Sequence, residues 1–131
     1  MEQERLTNEY LYSTAVPVLL DGKVEAGRLA MEIYTRHGIT PHWFGKGFDM
    51  NLTAYAARHP LPAPLPAISD SLLLQILLDF AHETPGLLIL YPCSPKAVIF
   101  TERVSSDLES HFVIALPQTG VDPLGILIRK A

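Results

Sequence analysis

Ala15-Val-Pro-Val-Leu-Leu-Asp-Gly-Lys-Val-Glu-Ala-Gly-Arg-Leu-Ala-Met-Glu-Ile-Tyr-Thr-Arg-His-Gly38 decides how this chain is read. Its first six residues are an apolar run of strand length, with Pro17 near the start, where a missing N–H does least harm to a sheet. The run breaks at Asp21-Gly22, and from Val24 to His37 the spacing turns helical. Val24, Gly27, Met31 and Tyr34 make one stripe of that helix, with Ala26 and Ala30 adjoining, and the small residues at 26, 27 and 30 allow close approach to a sheet. Gly38 stands where helices commonly end on a left-handed residue. Strand, turn and helix form a βα unit whose turn sets backbone N–H groups at a helix N-terminus, a place suited to anions.

Working outward, Thr40 to Phe44 reads as a second strand carrying the single tryptophan, Trp43, and Gly45 to Met50 as a loop. Asn51 to Arg58 is a short helix or irregular. From His59 to Pro66 a proline at every second position favours a stiff, extended connector containing at most a short edge strand. Ser69 and Ser71 are both suited to cap a helix running to about His82. That helix, Leu72-Leu-Leu-Gln-Ile-Leu-Leu-Asp-Phe-Ala81, is apolar nearly all round, so its outer face is expected to need cover from a second subunit or another domain. Leu87 to Tyr91, bounded by Pro-Gly and by Pro92, has the continuous apolar character of a buried parallel strand. Lys96 to Leu108 follows as a helix with apolar Val98, Ile99 and Val104, then His111 to Leu116 as a strand and Val121 to Ala131 as a short terminal helix. The alternation predicts an α/β fold, a Rossmann-like three-layer sandwich with a mostly parallel sheet of about four to five strands. A single domain is expected over 15–131, preceded by a polar arm over 1–14.

Composition narrows the function. With 48% hydrophobic and 18% charged residues, the chain reads as an ordinary globular domain. A net charge of -4, with 10 Lys+Arg thinly spread, leaves no basic stripe and argues against nucleic-acid binding. Met1-Glu-Gln-Glu-Arg-Leu-Thr-Asn-Glu9 is unlike a signal peptide, and no apolar run reaches bilayer length, so a cytoplasmic protein without membrane attachment is expected. The lone Cys93 has no partner for an internal disulfide.

Ligands of open parallel sheets sit beyond the carboxyl ends of the strands, where the strand order reverses. Two loops should meet there, Asp21-Gly22-Lys23 and Pro92-Cys-Ser-Pro-Lys96. The expected ligand is a small carboxylate or other anion, held by backbone N–H groups in a crevice lined by Asp21, Gly22, Cys93 and Ser94, with Lys23 and Lys96 adding charge. Cys93, between strand end and helix start, could form a dipole-stabilised thiolate, although a small half-buried residue is its plainer role. The histidines at 37, 42, 59, 82 and 111 lack metal-ligand spacing, and Asp21, Asp49 and Asp79 are too scattered to be read as a carboxylate pair. No catalytic residue and no metal ligand is assigned. Neither Gly22 with Gly27 nor Gly45-Lys-Gly47 completes a nucleotide-binding glycine motif.

The first strand and its Gly-containing turn, the helix ending in Arg36-His-Gly-Ile39 and the Leu-Pro segment resemble the pre-ATP-grasp domain of carboxylate-amine ligases and carbamoyl-phosphate-synthase-like proteins. Leu-Leu-Ile-Leu-Tyr-Pro92, the small-polar loop at Cys93-Ser94 and His111-Phe-Val-Ile-Ala-Leu-Pro117 extend the resemblance over about residues 15–117. It implies an N-terminal, substrate-side domain that is not catalytically competent alone. ATP and magnesium would then belong only to a separate ATP-grasp domain, and this chain would hold no cofactor of its own. Pro95-Lys96 departs from the acidic residue usual in the family loop. The alternatives are a stand-alone module for a small anion or nucleotide, and an interaction domain that forms a homo-oligomer through the helix at 72–81.

Overall fold

The computed structural model describes residues 15–47 and 54–115. Five strands, β1 (Ala15–Leu20), β2 (His42–Gly45), β3 (Ala57–Pro60), β4 (Leu87–Pro92) and β5 (Val113–Ile114), form one all-parallel sheet in the order β3-β2-β1-β4-β5. Among the described residues, four α-helices flank the sheet, α1 (Lys23–His37), α2 (Asp70–Glu83), α3 (Pro95–Arg103) and α4 (Ser105–Leu108), and a 3-10 turn at Leu65–Ala67 precedes α2. β1 and β4 pair along their full length, from Ala15↔Leu87 to Leu20↔Pro92. Both strands are buried on both faces, which is why each reads as an unbroken apolar run.

The two-residue period of the strands divides the core in two. Leu19, Trp43, Ile89 and Tyr91 pack under α1, against Ala26, Leu29, Ala30 and Ile33. Val18, Leu20, Phe44, Leu88 and Leu90 face the other way, against Leu73 and Leu77 of α2 and Ala97 and Phe100 of α3. The result is the Rossmann-like three-layer sandwich expected from the alternation. Strand order reverses between β1 and β4, so the loops that follow these two strands lie together at the carboxyl edge of the sheet.

Several local expectations are corrected. α1 does not bury the stripe through Val24, Met31 and Tyr34, which are exposed. It turns inward the overlapping stripe Ala26, Leu29, Ala30 and Ile33, whose small members let the helix settle close on the sheet. Gly38 does end α1 in the left-handed conformation, φ 67, its N–H bonded to the Tyr34 carbonyl. The helical stretch after β4 breaks at Val104 (φ -117, ψ 21) into α3 and α4. Its buried face is Ala97, Phe100, Thr101 and Leu108, whereas Ile99 is exposed and Val98 and Val104 are half-buried. Of the two serines suited to cap α2, Ser69 does so, accepting the Leu72 N–H at 3.2 Å.

Most of the cover α2 needs comes from its own chain. Leu73 and Leu77 are fully buried, Leu74, Ile76 and Phe80 are partly covered, and Leu72 is the exposed leucine. The Pro-rich connector begins as the edge strand β3, and Pro60 closes that strand at the sheet edge, where proline is tolerated. Among the described residues no helix is long and apolar enough to cross a membrane. The arm at 1–14 and the terminal helix expected at 121–131 lie outside the described residues.

Candidate functional site at the carboxyl edge of β1 and β4

Asp21 and Gly22 both adopt positive φ, 62 and 65, and these two left-handed residues swing the chain from β1 into α1. For Asp21 that conformation costs about 1–2 kcal/mol, and three contacts hold it in place. Its N–H donates to the Phe44 carbonyl at 2.8 Å, and its own carbonyl accepts the Trp43 indole N–H at 3.2 Å. Its carboxylate accepts the Ser94 hydroxyl at 2.6 Å.

Ser94 works in both directions, since its oxygen also accepts the Ala97 N–H at 3.1 Å as the N-cap of α3. Cys93 donates its N–H to the Leu20 carbonyl at 2.9 Å. Asp21, Gly22, Cys93 and Ser94 are thus brought together, as the pairing of β1 with β4 requires. The meeting is tighter than a crevice. A Cβ at Gly22 would lie 1.9 Å from the Cys93 carbonyl oxygen, so the two loops are in direct backbone contact there.

The lysines part company. The Lys23 ammonium lies over Gly47, where an added Cβ would fall 2.5 Å from Nζ, and so reaches toward the loop after β2. Lys96 instead borders a groove shared with Leu65, Asp70 and Arg103 on the other face of the sheet. What remains at the carboxyl edge is the first turn of α1. Gly22, as its N-cap, offers no side-chain bond to the free N–H groups, and Lys23 stands beside them.

Cys93 is corrected from half-buried to fully buried. Its thiol donates to the Tyr91 carbonyl at 3.3 Å. Burial pushes the thiol pKa up to about 12, with Glu25 and Asp21 adding to the rise against a backbone hydrogen bond that lowers it. Desolvation thus outweighs the helix dipole and holds the thiol in its neutral form at neutral pH. Native protein is expected to leave Cys93 unmodified by a thiol reagent such as DTNB over hours at pH 8, with one thiol appearing promptly in denaturant. Prompt modification of the folded chain would contradict the packing of the two loops.

The sequence reading missed a histidine pair. His42 Nδ1 and His59 Nε2 lie 2.9 Å apart across β2 and β3, one ring donating and the other accepting. Phe44 stacks on His59 at 4.4 Å, and Phe80 meets both imidazoles edge-on. Burial lowers both pKa values from 6.5, and for His42 the neighbouring His59 lowers it further. The folded state thus prefers neutral rings, while the unfolded chain takes up protons near 6.5. The pair's contribution is complete above about pH 6.5 and is lost as pH falls below it. Urea midpoints measured between pH 7.5 and 5 are expected to drop with acid, and His59→Phe is expected to flatten that slope. An unchanged slope in His59→Phe would assign the acid sensitivity elsewhere.

Among the described residues no group of three or more His, Cys, Asp or Glu is placed to hold a metal ion. No protein-family model, curated protein or solved structure matches the chain, so its reading rests on the fold and on the geometry of this edge.

Proposed function

We propose that this chain is a substrate-side domain of an ATP-grasp-like carboxylate-amine ligase, holding a substrate carboxylate at the first turn of α1 and supplying no catalytic group of its own. One observation carries the reading. The β1–α1 turn stands at the point where strand order reverses, with a helix start that no side chain caps and with Lys23 as its first residue, the ammonium reaching over Gly47. Asp21 accepts the Ser94 hydroxyl and so braces the two loops, and Cys93 is buried with its thiol pKa pushed up to about 12, which does not suit it to act as a nucleophile. In this reading ATP and magnesium belong to a separate ATP-grasp domain, and the present chain forms one wall of the site.

A stand-alone anion-binding module would use the same turn, and the two readings part on whether an ATP-grasp domain works with this one. Self-association through α2 has Leu72 to rest on, because Leu73 and Leu77 are buried within the chain. Pure protein with magnesium-ATP and a panel of small carboxylates and amines is expected to release phosphate only at the background rate. Sustained turnover that a point substitution such as Lys23→Ala abolishes would overturn the non-catalytic role.

A further inference from the structure

We propose that the groove between the Leu65–Ala67 turn, the start of α2 and α3 is a second binding site, which takes a small carboxylate with an apolar body. It lies on the face of the sheet opposite α1 and is independent of the ligase reading. The cavity measures about 200 Å³ and opens to solvent on one side. Its floor reaches the main core through Leu65, Ile68, Leu73 and Phe100, all buried. Polar floor groups are absent among these four side chains, so an occupant must present apolar atoms to them.

Charge is arranged along one helix face. Lys96, Ile99, Phe100 and Arg103 follow the i, i+3, i+4, i+7 spacing, which aligns them along α3 over about 10 Å. The two cations differ in their commitments. Arg103 is held by Asp70 through two hydrogen bonds, 2.7 and 2.9 Å, and that contact keeps the Asp70 carboxyl below its ordinary range. Lys96 has no ion-pair partner among the described residues. One end of the groove thus carries a single unmatched positive charge, and the other a neutralised pair that offers no net attraction to a second negative charge.

That pattern fits a monoanion lying along α3, head on Lys96 and apolar tail over Phe100 toward Leu73. A doubly charged phosphate would set its second charge against an apolar floor and that neutralised pair. At about 30 Å³ for each water-sized group, the volume admits roughly six or seven such groups. A short aliphatic carboxylate is of that size.

The probe is hexanoate, titrated into the isotopically labelled full chain and followed by NMR, with acetate and 1-hexanol as its two halves. Saturable shifts confined to residues 65–73 and 96–103 are expected, with both halves binding more weakly. Lys96→Ala should weaken hexanoate about tenfold, the loss of one charge-assisted contact, and Lys96→Arg should restore it. Ile99→Trp, which fills the groove from an exposed position, should abolish the shifts. Circular dichroism checks that these surface variants fold. No saturable shift, equal affinity in Lys96→Ala, or 1-hexanol binding as tightly as hexanoate would each overturn the proposal. So would concentration-dependent self-association that Ile99→Trp removes, since a second copy would then occupy the groove.

Discussion

Gly22→Ala is expected to destabilise the chain by about 2–5 kcal/mol, a large part of the roughly 5–15 kcal/mol available to a domain of this kind. Two costs combine. At φ 65 an alanine pays about 1–2 kcal/mol for the left-handed conformation. Its Cβ must also displace the Cys93 carbonyl, which would stand only 1.9 Å away, at an overpacking cost of about 1–3 kcal/mol. Gly38→Ala separates the two. Gly38 has φ 67, yet nothing lies within 4 Å of an added Cβ, so it should cost only the conformational part. Urea unfolding of the two variants measures the difference. Equal losses would mean that the loops after β1 and β4 are not pressed together.

The second large effect lies in α2. Leu77→Ala is expected to cost about 2–5 kcal/mol, because Leu77 is fully buried against the sheet face formed by Val18, Leu20, Leu88 and Leu90. Leu72→Ala, five residues earlier on the same helix, removes a half-exposed side chain and is expected to cost less than about 1 kcal/mol. The contrast tests whether α2 is covered by its own chain. A loss at Leu72 as large as that at Leu77, with a melting temperature that rises with protein concentration, would show that a second copy covers the outer face.

Much of this architecture is legible in the residues because parallel core strands announce themselves. Ala15 to Leu20 and Leu87 to Tyr91 are continuous apolar runs between turn residues, and the alternation of strands and helices makes the sheet parallel; that these two strands lie side by side is seen in their register. The inward face of α1 is less legible, since two apolar stripes overlap there. Val24, Met31 and Tyr34 are the larger side chains, but the closeness of helix to sheet favours Ala26 and Ala30.

At the candidate site, the meeting of Asp21 and Gly22 with Cys93 and Ser94 follows from strand adjacency. The divergence of Lys23 and Lys96 does not, because it depends on side-chain direction after a double left-handed turn, which spacing cannot encode. The His42–His59 contact was out of reach for a similar reason. Those residues are 17 apart, and only the β2–β3 register, which pairs Phe44 with His59, brings the rings together.

The central claim is that a carboxylate seats at the first turn of α1 beside Lys23. An NMR titration of the labelled chain with phosphate and short carboxylates tests it most directly. Saturable shifts are expected at residues 21–25 and at Gly45 to Gly47, with affinity falling at least about fivefold in Lys23→Ala, as the loss of a partly exposed charge-assisted contact requires. Silent amides at 21–25, or shifts there that Lys23→Ala leaves unchanged, would contradict it.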